Sequence, residues 1–325
     1  MTQYIIRRVL RAIPLLFLIS IASFALIQAA PGGPLAVYHS PNLKAEDIER
    51  IEDKLGLNDP LHVQYLKWLR NVLQGDLGNS FVTHRPVVAE IGDRILNTVY
   101  LMAVAFGVIM AVSVPIGVIS ALRQYSIFDI AVTTLTFIGQ SLPTFWVGLI
   151  LILIFFSWLK NPVTGSPLLP AGGMKTVGAP FSIVDRLKHL ILPVTMLSMT
   201  WVAWYTRYLR SSMLEVIHQD YIRTARSKGL AERMVLYRHA LKNAAIPLVT
   251  LVAMDLPYLF TGALYTEIIF SWPGMGRLYY ASASRRDYPV LMAVIMISST
   301  LIVVSNLLAD IAYAYLDPRI RYDNR

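Results

Sequence analysis

Residues 220–249 read DYIRTARSKGLAERMVLYRHALKNAAIPLV, a basic, polar run that opens between one apolar segment and the next. Before Gly229, Tyr221, Ile222 and Ala225 share one helical face while Arg223, Arg226 and Lys228 occupy others. After it, Leu230, Met234, Tyr237 and Leu241 recur at i, i+4, i+7 and i+11, with Arg233, Arg238 and Lys242 outside that stripe. A helix–glycine–helix element of this kind is too polar to span a bilayer and too apolar on one face to stand free in water. Two uses stay open from the residues alone. The element can lie in an anionic leaflet surface, or it can insert its apolar ridge into a groove on a partner protein.

Its surroundings are those of a membrane protein. The chain has 325 residues, of which 55% are hydrophobic and only 15% charged, against roughly 25% charged in soluble domains. A hydrocarbon core of about 30 Å needs roughly 20 apolar residues per helix, and six stretches meet or nearly meet that length: 9–30, 97–122, 129–159, 190–209, 244–270 and 290–316. The expectation is an all-α integral membrane protein with six transmembrane helices, the first retained rather than cleaved because it has no small-residue cleavage site. The chain contains no cysteine, which excludes disulfides, thiolate metal sites and a cysteine nucleophile. A net charge of +9 fits membrane topology better than nucleic acid, because the cations lie in the loops. With the N-terminus inside, 15 of the 29 Lys and Arg residues fall in the short inner segments, so both termini are expected on the cytoplasmic side.

The long outer segment 31–96 is acidic on balance. Within it Asp59 and Pro60 read as an N-cap and a first helical position, and Leu61, Tyr65, Trp68, Leu69 and Val72 form an apolar stripe that ends at Gly75. This predicts an amphipathic helix outside the bilayer, either covering the end of the bundle or docking an external partner. A Pro/Gly-rich outer loop follows at 160–182. There is no G-x-x-x-x-G-K-[ST] loop to cradle phosphates, no metal-ligand spacing among the six histidines, and no G-x-S-x-G serine. The histidines read as solvated or interfacial.

Residues 220–249 resemble the cytoplasmic loop of ABC importer permeases, in the form used by the peptide and nickel subfamily. That loop is usually written Glu-Ala-Ala, three residues, Gly, then Ile-x-Leu-Pro. Here Arg223 and Thr224 replace Glu and the first Ala, Ala225 and Gly229 match, and Ala244-Ala245-Ile246-Pro247 replaces the last element. RRVLRAIPLLFLISIASF at the start, LGLNDPLHVQYLKWLRNVLQGDLGNSF outside and YTEIIFSWPGMGRL at 265–278 agree with the same subfamily. The resemblance implies a type I importer permease fold, with an N-terminal helix and extracytoplasmic segment over 1–94, the permease domain over 95–318 and a cytoplasmic tail over 319–325. It further implies that Arg223, Thr224, Ala225, Lys228, Gly229, Leu230 and Met234 form a coupling helix between helices 4 and 5. The implied partners are a second, homologous permease subunit, two ATP-binding subunits that carry ATP and Mg, and an extracytoplasmic substrate-binding protein. No cofactor belongs to this chain itself. Peptides are the implied cargo, with nickel chelates, glutathione or oligosaccharides as alternatives in the same class. An ATP-independent channel or ion-coupled carrier is the alternative outside it.

Charges inside membrane segments usually face a water-filled cavity or a partner. Asp255, deep in the fifth apolar stretch with Tyr258 just beyond, is the candidate for meeting a cationic substrate group on the translocation path. The alternative is a pair within the bundle. Glu267, farther along, reads rather as a helix-end or gate-stabilising residue. Asp310 is expected to be satisfied by Arg319 or by lipid headgroups. Trp201, Trp204, Tyr205 and Tyr208 read as an interfacial aromatic belt.

Overall fold

The computed structural model describes residues 2–30, 50, 52, 56–255 and 263–316. They form helices and connecting turns, with no strand among them beyond two isolated bridges. Helix α1 (Thr2–Gln28) is followed by α2 (Leu61–Leu73), α3 (Val87–Leu122), α4 (Ile127–Ser141), α5 (Thr144–Ile152) and α6 (Ile183–Ile217). After α7 (Asp220–Ser227), a short turn at Glu232–Met234 widens into a π-helical segment, Val235–Leu241, and runs into α8 (Lys242–Asp255). The chain closes with α9 (Leu264–Ile269), α10 (Met275–Arg285) and α11 (Tyr288–Leu316).

Helices α3 and α6 are the axis of the bundle, and α4, α5 and α8 pack around α6. Gly117 explains how closely the two axial helices approach. A Cβ at that position would lie 3.0 Å from the Thr206 carbonyl oxygen and 3.2 Å from Leu209 Cβ. Lipid tails are as apolar as leucine, so helix association in a membrane depends on such close packing rather than on hydrophobic driving force. Leu10, Ile13, Leu18 and Leu26 of α1, like Leu135 and Phe137 of α4, remain exposed. In water a contiguous apolar surface of this kind would be a liability. Against hydrocarbon it is what a span requires.

Among the described residues, three helices are long and apolar enough to cross a membrane, over Leu10–Gln28, Val87–Leu122 and Tyr288–Leu308. The stretch 129–159, expected as one continuous span, is instead broken. Pro143 has no N–H and drives Leu142 out of the helical region (φ −84°, ψ 133°). Residues 127–141 and 144–158 consequently meet at 99°, a bent pair that counts as at most a fourth span. Helix α6 does not qualify by hydropathy alone, because Thr, Ser, Trp and Tyr side chains run through it. Packed against α3, α4, α5 and α8, it has less need to present a uniformly greasy surface.

The amphipathic helix α2 forms as the stripe predicts, with a different start. Pro60 is its N-cap and offers no side-chain cap, while the Asp59 carboxylate accepts from Lys67 Nζ at 2.5 Å. Its aromatic face rests on α1. Tyr65 packs edge-on to Phe24 with ring centroids 5.5 Å apart, Trp68 lies 6.3 Å from the same ring, and the Tyr65 and Ser20 hydroxyls are hydrogen-bonded at 2.7 Å.

Gly117→Val is expected to lower the thermal unfolding midpoint of the purified protein, by an overpacking cost of about 1–3 kcal/mol. Gly107→Val, at a position with nothing within 4 Å of an added Cβ, is the control and should leave the midpoint in place. Equal effects would show that the α3–α6 approach is looser than described.

Candidate functional site

The basic run begins where α6 ends. After a tight turn, α7 starts at Asp220 with Gln219 as its N-cap. Ile222 is fully buried and Ala225 nearly so, and both belong to one apolar cluster with Ile109 and Val118 of α3 and with Leu209 and Met213 of α6. The i, i+3 spacing of Ile222 and Ala225 thus seats α7 on the bundle. Tyr221, expected on that same face, is instead exposed, as are Arg223, Thr224 and Lys228. Thr224 Oγ1 donates back to the Asp220 carbonyl at 3.0 Å. Gly229 closes the helix at φ +72°, its N–H donating to the Arg226 carbonyl at 2.9 Å. This left-handed geometry is open to glycine at no steric cost. An added Cβ would meet nothing within 4 Å among the described residues.

Arg226 ties the two limbs together. Its Nη2 and Nε donate to the Glu232 carboxylate at 2.7 and 3.2 Å across the glycine turn. The hydrogen bonding and charge of Arg226 hold the Glu232 carboxyl below its ordinary pKa. The stripe expected beyond the glycine is displaced. Leu230 packs against the core cluster, but Met234 and Tyr237 are exposed, and Val235, Ala240, Ala244 and Leu248 are buried in their place. Leu241 does pack against the cluster; within the π-helical segment Val235–Leu241 the i→i+5 bonding widens the turn, so the inward face advances by four or five residues rather than three or four.

On the candidate path, Asp255 at the end of α8 is half-buried and accepts a hydrogen bond from the Tyr205 hydroxyl. Trp201 stacks on Tyr205, centroids 6.1 Å apart. These three, with Met102, Ala105, Phe106, Ile109 and Leu197, line a cavity of about 30 Å³, room for roughly one water. Tyr205 therefore belongs to the interior, not to an interfacial belt. Trp204 is exposed, with the Arg207 guanidinium 5.9 Å from its ring. Tyr258 and Arg319 lie outside the described residues, as does the side chain of Asp310.

Glu267 is completely buried in α9. It accepts from Thr98 Oγ1 at 2.7 Å and from the Arg277 backbone N–H at 3.0 Å, while Thr98 in turn accepts from the Met275 N–H at 2.8 Å. One carboxylate thus joins α3 and α9 to the N-terminus of α10, where unpaired N–H groups and the helix dipole favour an anion. Gly276 is required by the same arrangement, since a Cβ there would lie 2.8 Å from Leu264 Cα.

Two features escaped the sequence reading. Asp129 at the start of α4 is 2% exposed and takes two hydrogen bonds from Arg210 of α6, at 2.6 and 2.7 Å, with a third from Ser120 of α3. The signal for it was Ser126-x-x-Asp129 opening an apolar segment, a capping pattern whose acid would otherwise face hydrocarbon. His189, expected to be solvated, is buried, with Nδ1 within 2.9 Å of the Gly172 carbonyl oxygen. It pins the Pro/Gly-rich loop, which also meets Phe270 through the Gly173 N–H at 2.7 Å.

A helical bundle with apolar, lipid-suited faces and one basic surface loop is the architecture of a membrane transport permease. The chain belongs to the family described as the binding-protein-dependent transport system inner membrane component, whose models match residues 113–322 and, for its N-terminal part, residues 1–102. It is 47% identical to the oligopeptide transport system permease protein AppB of Bacillus subtilis (strain 168), over 99% of this chain and 100% of that one. To the dipeptide transport system permease protein DppB of Escherichia coli (strain K12) it is 37% identical over 99% of each chain. Among solved structures, an inward facing MetNI methionine ABC transporter matches 71% of this chain and 97% of its own, with a TM-score of 0.52 at 14% identity. That last likeness is one of fold.

Glu267→Ala leaves the Thr98 hydroxyl and the Arg277 N–H without their buried acceptor, a loss of about 1–3 kcal/mol for each unsatisfied group. Glu267→Gln retains an acceptor oxygen and is expected to cost less. Thermal unfolding of the two purified variants checks the order, and the reverse order would remove Glu267 from its locking role.

Proposed function

We propose that the chain is a permease subunit of an ATP-driven importer that passes peptides, delivered by an extracytoplasmic binding protein, across the inner membrane. It has six spans, the third being the bent pair α4–α5, and both termini are cytoplasmic. A second, homologous permease completes the pathway. Two separate ATP-binding subunits carry ATP and Mg and seat the face of α7 that bears Arg223, Thr224 and Lys228, together with the Gly229 turn and Met234. The peptide class is supported by the names of the relatives, which are oligopeptide and dipeptide permeases. Asp255, acidic and beside a small cavity, supplies a group suited to a peptide's free amine.

The observation that carries the reading is the two-faced seating of α7. Ile222 and Ala225 are locked into the α3–α6 core while the opposite face is bare. A load applied to the bare face is therefore delivered to the two axial helices rather than absorbed in a loose loop.

Orientation is tested with single cysteines in this cysteine-free chain. Gln74→Cys in the turn after α2 should react with a membrane-impermeant thiol reagent in intact cells, and Ser227→Cys only after permeabilisation. The opposite pattern would invert the topology. Coupling is tested at Gly229, where any side chain adds roughly 1–2 kcal/mol of left-handed strain and obstructs a partner's close approach. Gly229→Val should abolish either copurification of the ATP-binding subunits or their stimulation by loaded binding protein, with the permease still inserted. Full stoichiometry, stimulation and transport in that variant would refute the coupling assignment.

A further inference from the structure

The buried Asp129 cluster joins three helices at the end of the bundle that carries α7. Arg210 belongs to α6, less than three turns before the helix ends at Ile217 and the chain turns into α7. Asp129 opens α4, the first limb of the bent pair, and Ser120 lies in the last turn of α3. All four contacts converge on one carboxylate: Arg210 Nε and Nη2, the Ser120 hydroxyl, and the Tyr125 backbone N–H at 2.9 Å. The two-pronged guanidinium–carboxylate geometry is directional as well as strong. It fixes the rotation of α6 relative to α4, which a point charge would not do. The turn that presents Asp129 is itself held in an unusual shape, with Tyr125 at φ +62°. Tyr125, Ser126 and Arg123 also line the same open cleft as His218, Arg226 and Glu232, so the turn at the start of α4 faces the base of the α7 loop.

A buried ion pair is a weak device for stability, because desolvation offsets most of the attraction, but it defines one arrangement sharply. Here its placement matters. Helix α4 has no covalent link to α7 short of the whole intervening chain, and α6 leads directly into it. We infer that Asp129 and Arg210 are positioning residues for transport: their pair makes the bent α4–α5 limb move with α6 when the α7 loop is displaced. This rests on the coupling reading of α7. Without the pair, the loop would still move α6, but α4–α5 would lag and the pathway would open incompletely. ATP would then be hydrolysed without cargo crossing.

The test uses the full importer reconstituted in proteoliposomes, with ATP hydrolysis and transport measured on the same preparation. Asp129→Asn keeps the size of the side chain and removes its charge. It should leave subunit stoichiometry and stimulated hydrolysis intact and lower transport per ATP by about tenfold, the scale of a typical coupling free energy. Arg210→Lys, which keeps the charge and loses the two-pronged bond, should lower the same ratio in the same direction, and the exchange Asp129→Arg with Arg210→Asp should recover part of it. A second arm replaces both residues, Asp129→Cys with Arg210→Cys. Bridging the two thiols with a short bifunctional reagent should raise transport per ATP above that of the unbridged variant, which a merely stabilising pair would not do. An unchanged ratio in Arg210→Lys, or bridging without effect, overturns the inference. If Asp129→Asn does not assemble, the Arg210→Lys ratio decides. The coupling reading fails separately, if Gly229→Val transports and hydrolyses normally. Uncoupling by Gly229→Val with a normal ratio in the Asp129 and Arg210 variants sinks only the present inference.

Discussion

The contact between α3 and α6 at Gly117 is the constraint on which the remaining architecture depends. Without a Cβ at that position, the backbones of two helices of 36 and 35 residues come close enough for Leu209 and the Thr206 carbonyl to pack directly against α3. Neighbouring apolar side chains then continue outward without interruption. Ile109 and Val118 meet Leu209 and Met213, and these meet Ile222 and Ala225 of α7 and Val235 beyond it. The surface loop is therefore an extension of the membrane core. Were α3 and α6 held apart by a side chain, the site that receives Ile222 would widen, and α7 would have only its polar bonds to hold it.

Helix α3 also meets three acids of other helices, Glu267, Asp129 and Asp255, in different ways. Thr98 donates to Glu267, Ser120 donates to Asp129, and between them Met102, Ala105, Phe106 and Ile109 wall the small cavity beside Asp255. Hydroxyls on a helix can serve distant carboxylates without adding charge, which matters where an uncompensated ion is costly. The acids at the two ends are saturated: Glu267 by Thr98 and the Arg277 backbone N–H, and Asp129 by a guanidinium, a hydroxyl and a backbone N–H. Asp255 has a lighter escort, the Tyr205 hydroxyl, and is the least buried of the three. The rigid polar joints thus lie toward the ends of α3, and the more accessible acid lies between them.

Sequence reading reached the parts of this arrangement that local patterns encode. The spans near 9–30, 97–122 and 290–316 follow from hydropathy, the helix at 61–73 from its aromatic stripe, and the glycine turn from Gly229 among small and basic residues. It failed where an effect of one residue propagates. Pro143 divides what composition presents as one apolar stretch, because hydropathy averages over a break that depends on a single missing N–H. The π-helical segment moved burial from Met234 and Tyr237 to Val235 and Ala240, because a 3.6-residue template cannot register a widened turn. Partners across helices were beyond reach: Tyr205 looks like any interfacial tyrosine until Asp255 is placed against it, and Arg210 looks like a positive-inside cation until Asp129 is. The loop's small and basic residues were legible as a unit, but which of them face inward was decided by the bundle. Tyr221, grouped with Ile222 by periodicity, is turned out because the seat on α3 and α6 admits only the narrow i, i+3 edge.

That narrow seat has a mechanical consequence. A short helix held by two buried residues, Ile222 and Ala225, meets α3 and α6 through that packing, and its junction with α6 adds a covalent link to the same axial helix. The Arg226–Glu232 bond also ties α7 to the segment leading into α8, more weakly, because the pair is exposed. The chain on either side of the loop leads to α6 and α8, the two helices that hold Tyr205 and Asp255 respectively. Their hydrogen bond is the point at which the two routes meet again, beside the cavity. Any displacement that moves α6 and α8 unequally must stretch or break that bond, and with it change how much of the Asp255 carboxylate is open to the cavity. The hydrogen bond from Tyr205 and a fully open Asp255 carboxylate thus exclude one another, because the bond requires the two helices to stay in register.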